Sequence, residues 1–349
     1  MSIAKTIGRG LLYIAFNLLV AGAIIEIIFV SMLHAPRLTA ASPAPVRRLV
    51  QQVYRHFNRA LIQFNPECAR YDADVTYTLK PPGCTFGNLE FDNRYDVNRL
   101  GLRDTDADLV APDVIVIGDS HAMGWGVSQD QSFPRVLAQK TGLNVLNAAV
   151  SSYATVREMR MLDRLDTSHL KVLVIQYADN DQPENRAFRD EHNQLTITSQ
   201  AQYQTIVDHY MAQRAYYPGK YVWRLFMKVT RLETPEPDQL KMEVLDPDAE
   251  AGLFLNALEH AGKTPLDAVQ VVALEVNQEL GHPKRFIAAV DKVARADVHP
   301  AWVRRLLTFD TTSVLKDDDF YVLDDHMNAK GHEAVGAGLA AVVQKALAR

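Results

Sequence analysis

At 349 residues, 48% of them hydrophobic and 23% charged, the chain is long and apolar enough to bury a sizeable core, which excludes a disordered or fibrous protein. Its formal net charge is −5 and no block rich in Lys and Arg stands out, so the electrostatic footprint of nucleic-acid binding is missing. Neither a His/Cys zinc pattern nor calcium-loop spacing occurs; no metal and no cofactor is expected, and the aspartates at 317–319 and 324–325 read as a solvated acidic loop.

Residues 1–9 precede an apolar stretch, 10–33, that reads GLLYIAFNLLVAGAIIEIIFVSML. A helix of this length exceeds the ~30 Å hydrocarbon core of a bilayer, so a transmembrane helix is predicted. A cleaved signal peptide is the competing reading, but its apolar region is usually about 7 to 15 residues. Lys5 and Arg9 before the span and Arg37 after it give a weak bias to a cytoplasmic N-terminus, with the large domain on the extracytoplasmic side. Asn17 and Glu26, nine residues apart, fall on opposite faces of the helix. Glu26 either contacts an envelope protein partner or is tolerated as a protonated acid.

Residues 34–112 form a tether and lead-in. Ala35 to Arg48 is rich in Pro, Ala and Arg, whereas Leu49, Val53, Phe57, Leu61 and Phe64 recur at helical spacing and predict an amphipathic helix. Cys68 and Cys84 are the two cysteines of the chain; outside the cytoplasm such a pair suits a disulfide closing a short loop, worth ~3 kcal/mol in the chain-entropy model, against the alternative of two free thiols.

Residues 113–349 show another rhythm. The runs VIVIG at 114–118, VLNAAV at 145–150 and VLVIQY at 172–177 are short, wholly apolar or nearly so, and separated by helix-length intervals, which predicts a parallel sheet with helices on both faces, an α/β fold. A stretch at about 187–265, carrying YYPGKYVWRLF, breaks the alternation and reads as a helical insertion, either a lid or packed helices with core aromatics. Val269 to Val276 resumes the strand pattern, and Gly331 to Leu347 closes the chain as an amphipathic helix.

The chemistry concentrates at two places. In PDVIVIGDSHAMGWGV an apolar strand runs into Gly118, Asp119 and Ser120 at the start of a predicted helix, which puts a serine at the carboxyl end of a strand, where α/β sheets form ligand crevices. In YVLDDHMNAKGHEAVG, Asp324 stands two residues before His326. A serine hydroxyl needs a base within hydrogen-bond reach and an acid to orient that base, and Ser120, His326 and Asp324 supply the three residue types. Each has a plainer alternative: Ser120 as a helix cap, His326 as a buried histidine, Asn180 as a turn former. His332 is expected to pack the last helix and His121 to stand at a pocket wall or in solvent.

Together, the strand ending in Gly-Asp-Ser, the Asn-Asp of QYADNDQPEN and the Asp-x-His near the end resemble the SGNH (GDSL-like) hydrolase family, in its chain order and over about Val114 to Leu347. The resemblance implies a flavodoxin-like three-layer fold with a central parallel sheet, here preceded by the transmembrane helix. It also implies an oxyanion hole from Ser120, Ala149 and Asn180, with Asp119, His121, Asp181 and Asn185 as candidate pocket residues. Two positions depart from the family pattern: Ala149 replaces a glycine, and Leu323 occupies the position three before the histidine that often holds the acid, leaving Asp324 or Asp325 and favouring Asp324. The segment from NPECARYD through EFDNRYDVNRLGLRD resembles the lead-in of a bacterial membrane-anchored subgroup.

These readings predict a serine esterase in the bacterial inner membrane, its catalytic part on the periplasmic or extracytoplasmic side, acting on ester-linked acyl groups of an envelope glycan or lipid. Two alternatives stay open: an O-acyltransferase using the same triad, and a non-catalytic envelope binding or assembly protein on the same scaffold.

Overall fold

The computed structural model describes residues 3–230, 232, 242–278 and 280–348. Part of the predicted insertion, 233–241, lies outside the described residues. The chain opens with helices α1 (Ile3–His34), α2 (Pro36–Ala41) and α3 (Ala44–Phe57), followed by the antiparallel hairpins β1 (Ala69–Asp72) with β2 (Thr76–Leu79) and β3 (Gly83–Gly87) with β4 (Asp92–Asp96). Next come β5 (Val114–Ile117), α4 (Ser120–Met123), α5 (Phe133–Thr141), β6 (Val145–Asn147), α6 (Thr155–Leu162) and β7 (Val172–Tyr177). Helices α7 (Gln182–Asp190), α8 (Gln200–Arg214), α9 (Lys220–Val229) and α10 (Pro247–His260) lead to β8 (Gln270–Glu275), α11 (Gly281–Val293), α12 (Ala301–Arg304), β9 (Leu307–Phe309) and α13 (Ala329–Leu347).

Two compact units divide the chain: residues 1–60, 209–237 and 322–324 make the first, and 61–208, 238–321 and 325–349 the second.

In the first unit, α1 is long and apolar enough to cross a membrane, its apolar part running from Ile7 to His34. Its two polar intruders make hydrogen bonds within the unit, Glu26 through one of its two oxygens. Asn17 Nδ2 donates to Tyr13 O at 2.7 Å, and Glu26 Oε2 accepts the backbone N–H groups of Tyr221 and Val222, both at 3.0 Å. The Glu26 carboxylate, read either as a partner contact or as a tolerated acid, thus caps the start of α9 in the same chain. The tether predicted at 35–48 is largely helical, and α3 buries Val50, Val53, Tyr54 and Phe57 while leaving Val46 and Leu49 exposed.

The second unit is a five-stranded parallel sheet in the order β6-β5-β7-β8-β9. Renumbered within the sheet this is 2-1-3-4-5, the flavodoxin-like order. Helix α5 packs with α13, and α10 packs with α6, α7 and α11, which gives the two helical layers. Val114, Ile115, Val116 and Ile117 of β5 are fully buried, each contributing roughly 1.5–3 kcal/mol of apolar burial. That continuous burial explains why the central strands carry no polar alternation. Because α10 packs against the sheet helices, the last part of the predicted 187–265 insertion belongs to the α/β layers, whereas 209–237 belongs to the first unit.

The lead-in from Leu61 onward is part of this second unit, and a disulfide joins Cys68, the residue before β1, to Cys84 in β3. Its Arg103, 1% exposed, lies 3.8 Å over the Tyr95 ring and donates to the carbonyls of Met123 (3.3 Å), Gly124 and Val127 (2.7 Å). It thus fixes the loop that follows Ser120. Arg103→Met leaves these buried carbonyls without their donor, and a loss of about 3 kcal/mol or more is expected as a lower melting temperature. An unchanged melting temperature would contradict the role.

Candidate active site

The site stands where the sheet order reverses. In this order the switch point lies between β5 and β7, and the residues that follow these two strands, Gly118 to Ser120 and Asp179 to Asp181, flank the crevice position at their carboxyl ends.

Gly118 makes the turn possible. Its φ is +156°, and a Cβ there would come within 2.7 Å of Gln176 Oε1 and 2.8 Å of the Ala122 side chain. The same Gln176 oxygen accepts the N–H groups of Asp119 (3.2 Å) and Ala122 (3.0 Å), so β7 holds both ends of the turn. Asp119 caps α4 through His121 N at 2.9 Å. Ser120 is the first residue of α4, a position at which the backbone N–H has no intrahelical acceptor and faces the helix entrance.

Ser120 Oγ lies 2.7 Å from His326 Nε2, within hydrogen-bond range, and 3.4 Å from Asp119 Oδ2. His326 is 7% exposed, and its ring is stacked against Trp125 (centroids 4.8 Å apart, planes 21° apart) with His121 beside it at 4.7 Å. Trp125 was not singled out from the sequence, although it sits between two glycines of positive φ, Gly124 at +88° and Gly126 at +79°.

The backbone around His326 is fixed from both sides. Tyr321 N donates to His326 O at 3.0 Å, and Asn328 caps α13 by accepting Lys330 N and Gly331 N.

Within the second unit, the carboxylate at His326 Nδ1 is Asp325, whose Oδ1 is 3.2 Å away. Asp324 belongs to the first unit. There its carboxylate is fully buried, accepts Tyr54 OH at 2.8 Å and lies 3.7 Å from an Arg59 guanidinium nitrogen. Helix α3 also holds the neighbouring backbone through Gln51, which donates to Val322 O at 2.7 Å.

The three expected oxyanion donors differ in state. Ala149 is fully buried beside the turn, where Val150 N donates to Gly118 O, and its own N–H donates to Asn147 Oδ1 at 3.2 Å. An oxyanion would have to share or displace that partner. Asn180 is exposed in the short turn after β7.

Two of the candidate pocket residues bind a neighbouring helix start. Asp181 and Asn185 are fully buried and converge on Thr155: Asp181 Oδ2 accepts its N–H (3.2 Å) and hydroxyl (2.9 Å), and Asn185 Nδ2 donates to its hydroxyl at 3.1 Å. They bind the start of α6. Burial pushes the Asp181 carboxyl well above the usual range, with Asp119 adding to it. Glu158, also buried, is pushed up in the same direction by burial first and then by Asp181 and Asp119, favouring uncharged acids beneath the site. Glu184 pairs with Arg157 at 2.7 Å. His332 packs against Phe133 and accepts its N–H at 3.2 Å; burial holds its pKa well below the ordinary value, so it is neutral.

No family model matches the chain, and no curated protein matches it. Solved structures similar to it include one described as a lipolytic protein of the G-D-S-L family from Desulfitobacterium hafniense DCB-2 (12% identity, 66% of this chain and 98% of that one, TM-score 0.35). A carbohydrate acetylesterase from Sinorhizobium meliloti matches at 13% identity over 66% of this chain and 98% of its own, with a TM-score of 0.35. Phospholipase A1 from Streptomyces albidoflavus NA297 matches at 13% identity over 68% and 99%, also with a TM-score of 0.35.

Proposed function

We propose that this chain is a serine esterase of the SGNH type, held in the bacterial inner membrane by α1, that acts on ester-linked acyl groups of an envelope glycan or lipid. The observation that carries the reading is the 2.7 Å contact of Ser120 Oγ with His326 Nε2 at the sheet's switch point. His326 takes the Ser120 proton as the oxygen attacks the ester carbonyl, and the charge that develops is met by the Ser120 N–H, Asn180 and the Ala149 N–H. His326 then protonates the leaving alcohol, an acyl-serine forms, and water deprotonated by His326 releases the acid. The acid proposed is Asp324, two residues before His326 in the chain; its burial and its tyrosine hydrogen bond suit a fixed carboxylate. The Cys68–Cys84 disulfide supports an oxidising, extracytoplasmic side for the domain.

A second reading is favoured by enclosure. Ser120 and His326 are each only 7% exposed, and a site that shuts out water lets a sugar hydroxyl compete for the acyl-serine, which makes an O-acyltransferase.

The full-length chain in detergent, supplied with p-nitrophenyl acetate, is expected to release nitrophenol faster than its Ser120→Ala variant, and added glycan acceptors show whether the acyl group partitions to water or hydroxyl. Equal rates for the two proteins would overturn both catalytic readings.

A further inference from the structure

Helix α9 is built the wrong way round for a soluble protein. Its sequence, KYVWRLFMKV, separates an apolar face from a basic one, and water-soluble helices turn the apolar face inward. Here Trp223 (52%), Phe226 (51%) and Val229 (80%) are exposed, with Trp223 and Phe226 stacked on each other at 5.7 Å. The side that packs carries Tyr221 and two of the three basic residues: Lys220 is 1% exposed and donates to Gln213 O at 2.9 Å, and the Arg224 guanidinium lies 5.7 Å over the Phe57 ring, while Lys228 is exposed.

The position of α9 along α1 says what covers that face. Glu26 receives the first amides of α9, Val222 lies against Gly22, and Tyr221 meets Phe29. These are the same turns of α1 that expose Ile24, Ile25, Ile27 and Ile28, whereas Met32 and Leu33 just beyond are buried. The exposed apolar band of α1 runs from Ile7 to Ile28, which at 1.5 Å per residue is about 33 Å, the thickness of a hydrocarbon core. Helix α9 thus begins inside the outer edge of that band. Its unit is also strongly basic: residues 1–60, 209–237 and 322–324 hold 12 Lys and Arg against 4 Asp and Glu, a formal +8 in a chain of −5 overall. Arg37, Arg48, Arg214 and Lys228 are exposed on it.

We propose that α9 is an interfacial membrane helix, its Trp223, Phe226 and Val229 face seated in the outer leaflet of an anionic phospholipid bilayer and its basic neighbours at the headgroups. This rests on the reading of α1 as a membrane span. Tryptophan and tyrosine at the headgroup level, apolar bulk below and Lys/Arg above are the features by which such helices bind lipid.

The test is site-directed spin labelling of the full-length chain in nanodiscs of mixed zwitterionic and anionic phospholipid, with a nitroxide on Phe226→Cys, Leu18→Cys (α1) or Lys292→Cys (exposed, second unit). Collision with oxygen is compared with collision with a water-soluble nickel complex. The expected result is a shift toward oxygen at Phe226, as at Leu18, with the reverse at Lys292. A nickel-accessible Phe226 beside an oxygen-accessible Leu18 overturns the proposal while the anchor stands. A Phe226 shielded from both reagents means that protein covers the face, and this also overturns it. A nickel-accessible Leu18 removes the anchor itself, and with it the basis of the inference.

Discussion

Replacing His326 by Gln is expected to lower kcat/KM for an ester substrate roughly 10⁴-fold, with little change in KM. Glutamine can still reach Ser120 Oγ, so the hydroxyl keeps a neighbour but loses the group that accepts its proton. The 2.7 Å contact defines this expectation, because it places Nε2 at the nucleophile, and the Trp125 stack holds the ring. Steady-state rates at several pH values check it, because the wild-type rate should rise with pH through deprotonation of the imidazole while the residual rate of His326→Gln should lack that rise. A His326→Gln enzyme within tenfold of wild type, with an unchanged pH profile, would remove His326 from the mechanism.

Asp324→Asn is expected to cost about the same, roughly 10⁴-fold, and Asp325→Asn much less. The reasoning weighs two observations. Asp325 makes the 3.2 Å contact with Nδ1, but its side chain is 30% exposed and its attraction is correspondingly screened. Asp324 is fully enclosed in its own unit, with a tyrosine hydroxyl and an arginine to hold its geometry. The opposite ranking of the two variants would transfer the role of the acid to Asp325. Melting temperatures measured alongside separate a catalytic loss from unfolding, since Asp324→Asn also disturbs the partners of Tyr54.

The parallel sheet was legible because burial on both faces leaves no other composition for a strand: β5 and β7 are apolar almost throughout, and periodicity is not needed to see them. Strand β9 escaped because it is only Leu307–Phe309, half-buried and following Arg304 and Arg305. The lead-in hairpins escaped for a related reason. Strands such as ARYD and DNRYD carry charge on their exposed positions and read as loop until paired.

At the site, Ser120 and His326 could be chosen because the reaction demands their residue types. Arg103 and Trp125 could not, since what makes them matter is a set of carbonyls and a ring face assembled by the fold. Asp181 and Asn185 show the converse. Their place after β7 suggested a pocket, but spacing along the chain does not say whether a polar side chain points to the crevice or to the start of a neighbouring helix. YYPGKYVWRLF reads either as a lid or as core aromatics, and it is the fold that leaves Trp223 and Phe226 exposed.

The most direct test of the central claim, an activated Ser120, is covalent labelling of the full-length protein with a fluorophosphonate probe, followed by peptide mass mapping. The predicted result is a single adduct on Ser120 that disappears in Ser120→Ala and is strongly slowed in His326→Gln. A folded wild-type protein that takes up no label, or takes it up equally in the Ser120→Ala variant, would contradict the catalytic account and leave a binding or assembly role on the same scaffold.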